Sequence, residues 1–495
     1  MTCPLFVFGK GGASRVVFPQ CACTCSLIPV IIYLMKRLLF FLPVLLLLIS
    51  FGTGIAADSV YVLAAPYPTV RDGVFLSELR RLWNGRSNRS FDTLVMTEET
   101  METFTEKWGD PDISAKITVL PEEDLLPAAW NQEGCWALLP FDALDPRWKV
   151  MAVDGISPFL FGFDPGNYAL SVPLPEGTAS NYTPEKLTTL TLTGTTAMAR
   201  NFSYHIETDG LLVPVENIAE TLAASDITHI SNEASFTPDC PPGVPLRREA
   251  RFCSLPDYFP ILEAVGADVV ELTGNHNLDW GTEPFLYSLE MYEKAGIPVY
   301  GGGRTQEEAQ QPVLLEHHGN RIAILGCNAI GPENVWATDS TPGAARCDLE
   351  KMKAQIAELK AEGWLPVVTF QHLEYTWYDV PALQSHDFFE IACDAGPVII
   401  SGSQAHIPQG MTFVGDTFIH FGLGNLLFDQ MSDVERTSFF DRHYFYDGRY
   451  IGNRLETIIL ENYSQPRFLD PEERDAFLRL IFSTCSWKET FREAE

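Results

Sequence analysis

Asn275, His276 and Asp279 stand together in the stretch ELTGNHNLDWG, which follows the apolar run GADVVEL. An amide, an imidazole and a carboxylate so close together are donors suited to a divalent metal ion or a phosphate. The arrangement recurs along the chain. SDITHISNEASF carries a short apolar run into Asn232 and Glu233. LPVVTFQHLEY runs into Gln371, His372 and Glu374, and GPVIISGSQAH runs into Gln404 and His406. In α/β sheets, ligands sit beyond the carboxyl ends of the strands. Glu233, Asn275, His276 and His406 are therefore expected at one rim. Plainer roles exist for several of these side chains. Asp279 can cap the following helix, and Asn275 can occupy a left-handed turn. Arg200 can pair with a carboxylate and do nothing else. His420, in a Phe-rich strand, reads as a satisfied core histidine, and His317-His318 beside Gly319 reads as a surface turn.

The elements that must position these groups follow from periodicity. In residues 58–185, VYVL and DTLVM read as buried strands, and GVFLSELRRLWN and EETMETFTEKWG as helices. KITVL and CWALLPFDAL continue the alternation, so the segment is expected to be a small α/β lobe. It serves either as a ligand-binding lobe or as a spacer. VPLPEGTASNYTPEK, 172 to 186, reads as a linker. Residues 187–430 alternate strands such as LTTLTLTG, DVVEL and RIAILGCNA with helices such as PFLYSLEMYEKAG and LEKMKAQIAELKA. DRHYFYDGRY is expected to be a loop, LETIILENY a strand and EERDAFLRLIF a helix, so that 431–495 forms an extension packed on the second domain.

Five ordered motifs within 190–430 resemble the capsule-synthesis protein family of CapA and PgsA, a branch of the calcineurin-like metallophosphatase fold. TLTGTTAMAR is similar to a strand ending in Gly-Asp and followed by Arg. SNEASF is like an Asn-Glu box, and TGNHNLDWG is like an Asn-His-x-x-Asp-x-Gly box. FQHLEY resembles a His-Trp-Gly-x-Glu-Tyr box, and GSQAHIPQG with HFGLGNLLFDQ resembles a Gly-His-x-Pro-His box and its tail. The resemblance implies an αββα metallophosphatase-like sandwich behind the smaller lobe. It implies Glu233, Asn275, His276, Gln404 and His406 as metal positions. It implies His276, His406, Glu374 and Asp279 as catalytic groups, and Arg200, Gln371, His372 and Asn425 as substrate-binding groups. The implied cofactor is divalent manganese, zinc or magnesium. Three positions depart from the pattern. Thr195 follows Gly194 where the family has Asp, Gln404 replaces a His, and Phe370 falls where FQHLEY should open with His. A neutral hydroxyl or amide is a poorer ligand for a hard divalent ion than a carboxylate or imidazole. The implied role is capsule or extracellular-polymer biosynthesis of the poly-γ-glutamate type. The rivals are a non-catalytic binding protein on the same fold and a nucleotidase-type phosphoesterase. If the protein is an enzyme, it is a metal-dependent hydrolase.

Composition narrows the partners. The 495 residues carry 65 Asp and Glu against 34 Lys and Arg, a formal charge of -31. Nucleic acid needs a basic face and is excluded as a partner. The expected partners are an anionic polymer or small-molecule substrate and a membrane-anchored capsule-synthesis complex. At the N-terminus, Met35-Lys36-Arg37 precedes LLFFLPVLLLLISFGTGIAA, a basic and then apolar segment ending in small residues. Residues 1–57 therefore read as an extension plus an export signal, with Met35 the start; the alternative is an uncleaved anchor. Either way the protein is expected outside the cytoplasm: extracellular, at the cell surface or periplasmic. In an oxidising compartment Cys240 and Cys253, and Cys327 and Cys347, each bracketing a short loop, are expected to pair. N-terminal sequencing of the secreted protein is expected to begin near Asp58; a mature chain that keeps Leu38–Leu48 is an anchored one.

Overall fold

The computed structural model describes residues 58–244, 250–372, 377–430, 432–488 and 490–491, so the export segment lies outside the described residues. The N-terminal strands are β1 (Asp58–Pro66), β2 (Gly73–Val74), β3 (Thr93–Met96), β4 (Ile117–Val119), β5 (Cys135–Pro140), β6 (Trp148–Val153) and β7 (Ser171–Pro173). They form one mixed sheet in the order β2-β6-β1-β5-β3-β4, with β7 on β1. The stretch expected to link two domains is tied down, because β7 pairs with β1 and the Asn181 amide bonds both backbone groups of Val60.

Two further sheets follow. One contains β8 (Leu187–Thr193), β9 (Thr195–Thr196), β10 (Ile227–Asn232), β11 (Ala267–Glu271) and β12 (Val299–Tyr300). A two-stranded piece pairs β13 (Gly302–Gly303) with β16 (Gly343–Ala344). The other large sheet contains β14 (Val313–His317), β15 (Asn320–Asn328), β17 (Leu365–Gln371), β18 (Ile399–Ser401), β19 (Met411–Val414) and β20 (Thr417–His420). β21 (Asn425–Leu427), β22 (Thr437–Tyr446), β23 (Arg449–Glu461) and β24 (Gln465–Phe468) return to the first of these. β8, β10, β11 and β12 run parallel, as do β15, β17, β18 and β20.

The layering comes from period-two alternation in strands apolar on both faces. Val269 of β11 packs with Ile322, Ile324, Val367 and Ile399 of the facing sheet. Its neighbour Val270 packs the other way, against Phe202, Leu262, Phe285 and Leu289 of the covering helices. Across the gap, Ala323, Leu325, Val368 and Ile400 turn outward onto Ile356, Leu359, Phe388 and Ile391 of the 349–361 and 382–394 helices. The result is an αββα sandwich of the metallophosphatase type, as the sequence resemblance implied.

One element departs from expectation. DRHYFY is not a loop but most of β22, which pairs antiparallel with both β8 and β23. The signal is the dipeptide Asp447-Gly448, whose residues both adopt positive φ, 51° and 77°. An Asp-Gly pair supplies the tight turn that a two-residue hairpin requires. Residues after 430 thus build the sandwich sheet itself. Tyr444, Tyr446 and Ile451 of this hairpin also complete the core of the N-terminal sheet.

The hairpin buries a chain of polar groups. His420 and Asp441 meet at 2.6 Å, and His443 meets the Tyr450 hydroxyl at 3.0 Å. His420 is the buried, paired core histidine that its strand suggested. Burial, with His420 nearby and only partly offset by Asp441, pushes the His443 imidazole down to about 4. The unfolded chain then binds more protons than the folded one between the ordinary histidine value of about 6.5 and 4. Stability conferred by neutral His443 is complete above that window and is lost as pH falls through it, by about 3 kcal/mol. Chemical unfolding at stepped pH is expected to show this slope in the native chain and a shallower one in His443→Gln; equal slopes refute it.

Candidate functional site

The site forms where the loops after β8, β10, β11, β17 and β18 meet. Close approach of two loops dictates a glycine: a Cβ on Gly274 would sit 2.5 Å from the Cα of Glu233. This contact brings the Asn-Glu and Asn-His loops together, and Ser235 Oγ donates to the Asn277 carbonyl at 2.5 Å to hold them.

Beneath the loops lies a fully buried carboxylate, Glu271, the last residue of β11. Its Oε1 accepts from Thr273 Oγ1 and Thr369 Oγ1, each at 2.7 Å, and its Oε2 accepts from Ser403 Oγ. His229 Nε2 stands 3.3 Å from Oε2. The His229 Nδ1 accepts from the Thr193 N–H, which leaves the ring proton on Nε2, facing Glu271 and the Tyr300 hydroxyl. Burial alone would raise the Glu271 carboxyl; the hydrogen bond from His229, with those from the Ser403 and Thr369 hydroxyls, brings it below the ordinary value. Sequence reading missed this group. Its trace was a carboxylate directly after the two buried valines of ADVVE.

The expected site residues fall into pairs. His406 Nε2 faces Glu233 Oε1 at 3.9 Å, while its Nδ1 meets Asn425 Oδ1 at 2.7 Å. His276 Nδ1 meets Asp279 Oδ2 at 2.8 Å. Asp279 does not cap the following helix, whose N-cap is Gly281; it also accepts from the Phe252 N–H. Asn275 does not take the left-handed conformation. Its Oδ1 accepts from Gln371 Nε2 at 2.7 Å, and Gln371 Oε1 accepts in turn from Asn328 Nδ2 at 2.6 Å. His372 points to the 382–394 helix, with Nε2 2.9 Å from Asp387 Oδ2. Glu374 lies outside the described residues. Arg200 donates to Asp429 Oδ1 at 2.9 Å, the plain pairing its sequence allowed. Burial raises the Asp429 carboxyl to about 6 despite the Arg200 charge. Arg200 itself has φ 49°, a left-handed conformation that strains a non-glycine residue and that its bonds to Asp429 must hold.

The three departures are built into this frame. The Thr195 hydroxyl, fully buried, contacts the Ser403 carbonyl at 3.5 Å. Gln404 Nε2 donates to Ser231 Oγ at 2.6 Å. Phe370 packs in the outer core against Phe388. A two-ion centre needs several anionic or imidazole donors around each ion. Among the described residues no three His, Cys, Asp or Glu side chains converge in that way. Asn275 Oδ1 already accepts from an amide, and Gln404, whose Nε2 donates to Ser231, offers only a neutral amide oxygen where a carboxylate or imidazole is needed. The described residues do not fit a two-metal centre.

The domain is a four-layer αββα sandwich with polar groups gathered at its strand ends. Residues 189–430 match the family described as bacterial capsule synthesis protein PGA_cap. Relatives include the PGA biosynthesis protein CapA of Bacillus subtilis, 26% identical over 171 residues, 34% of this chain and 45% of that protein. The capsule biosynthesis protein CapA of Bacillus anthracis is 24% identical over 172 residues, 34% of this chain and 42% of that one. A probable polyglutamine synthesis accessory protein of Mycobacterium tuberculosis is 26% identical over 217 residues, 42% of this chain and 56% of that one. The chain thus spans about half the length of these relatives. Among solved structures, a 5'-nucleotidase precursor from Thermus thermophilus is similar with a TM-score of 0.35 at 14% identity, over 60% of this chain and 58% of that one.

Proposed function

We propose that this is an exported protein of capsule or extracellular-polymer biosynthesis whose strand-end site keeps the shape of a metallophosphatase centre without its ligand charge. The process is supported by the family of residues 189–430, and export by the basic-then-apolar segment after Met35. The observation that carries the reading of the site is the pair of substitutions at its floor. Thr195 and Gln404 are buried and hydrogen-bonded inward, so neither presents a charge or a free imidazole nitrogen. Bridging carboxylates are what let two cations sit about 3.5–4 Å apart. Without them the site holds its polymer or small anionic ligand by hydrogen bonds from the histidines and amides and does not activate water.

Elemental analysis of the purified protein, with an assay on p-nitrophenyl phosphate in manganese, zinc and magnesium, tests this. The expected result is substoichiometric metal and turnover well below about 1 per second, the low end for characterised enzymes. Turnover at or above that level, abolished by His276→Ala, contradicts it. Thr195→Asp combined with Gln404→His is expected to gain metal binding.

A further inference from the structure

The short segment returning from the 240–253 loop sits against the site. Residues 252–254 run beside 235–237, through an isolated bridge between Phe236 and Ser254 and bonds from Thr237 N to Ser254 O and from Ser254 N to Ser235 O. Cys253, in the middle of this segment, is bonded to Cys240. The disulfide therefore ties Cys240, downstream of Glu233, to Cys253, the residue after Phe252.

Phe252 has two attachments to the site. Its N–H donates to Asp279 Oδ2 at 2.7 Å, the same oxygen that meets His276 Nδ1. Its ring lies 4.3 Å from the His276 ring and 5.1 Å from the Phe428 ring. Phe428 in turn lies 5.0 Å from the His406 ring. The Arg200 guanidinium stands 4.8 Å over both phenyl rings, which closes the stack from behind. Both phenylalanines are buried, with Ala197, Ala199 and Ala234, in a small cluster separate from the main cores. Aromatic pairs and cation–π contacts of this kind favour particular ring geometries beyond what burial alone does, which selects a ring orientation.

We propose that Phe252 is a positioning residue that sets the ring orientation of His276 and, through Phe428, of His406, and that the Cys240–Cys253 bond holds Phe252 in place. The site of a protein made for export is then completed by a bond that the cytoplasm disfavours. This rests on the strand-end cluster being the working site. The test reads ring geometry and not turnover, so its failure leaves the reading of the metal-poor site standing.

The experiment is NMR of histidine-labelled protein. The ring resonances of His276 and His406 are compared with those of His420 and His443, which lie in the buried hairpin network. Phe252→Leu keeps an apolar side chain but removes the ring. It is expected to shift both site histidines and leave His420 and His443 in place, and Phe252→Tyr is expected to restore the native positions. Cys240→Ser with Cys253→Ser is expected to reproduce the Leu pattern. Unchanged His276 and His406 signals in both variants overturn the proposal. A shift of His276 alone overturns the relay through Phe428. A cysteine variant that also loses the His420 and His443 signals shows that the bond supports the whole domain, and that outcome overturns the tether.

Discussion

A carboxylate without access to water is costly unless every lone pair is answered, and Glu271 is answered from four directions. Thr273 comes from its own loop, Thr369 from β17, Ser403 from the loop after β18, and His229 from β10. Each partner immediately precedes or supports a candidate site residue. Thr273 leads into Gly274-Asn275-His276, Thr369 sits two residues before Gln371, and Ser403 precedes Gln404. The sandwich leaves room for such a hub because its facing sheets place small and polar residues near the rim and Val, Ile and Leu deeper in. Losing one partner of a buried, hydrogen-bonded charge typically costs about 3–5 kcal/mol, which exceeds what any single surface contact of the loops contributes.

Above the hub, hydrogen bonds are passed along chains of side chains. Asn328 orients Gln371, which orients Asn275; Asn425 orients His406; Asp279 orients His276. Such networks fix geometry when every member is satisfied. At the floor of the site Gln404 Nε2 bonds Ser231 Oγ and the Thr195 hydroxyl contacts the Ser403 carbonyl.

Much of this architecture was legible in the chain. Strand ends rich in amides and imidazoles announced the rim, and the resemblance of the five motifs implied the αββα sandwich. What escaped had physical reasons. The role of Glu271 is hidden because three of its four partners lie far away in sequence, at 229, 369 and 403. Phe252 and Phe428 carry no mark in the sequence, since a phenylalanine that stacks on an imidazole is written no differently from one that packs on leucine. DRHYFYDGRY, 441–450, reads as a loop from its polar residues, whereas Asp441 is paired with buried His420 and Arg442 reaches Glu456. His372 resembled a site residue by neighbourhood, but its imidazole turns toward Asp387.

The account stands on the coupling between Glu271 and the strand ends it ties, and a double-mutant cycle measures that coupling. Unfolding free energies of Glu271→Gln, Ser403→Ala and the combined variant are compared with the native chain. If the carboxylate holds the loop after β18, the two changes are non-additive by about 1 kcal/mol or more, within the range for residues in direct contact. Additivity to within about 0.3–0.5 kcal/mol, as for independent sites, would show that Glu271 does not organise this rim.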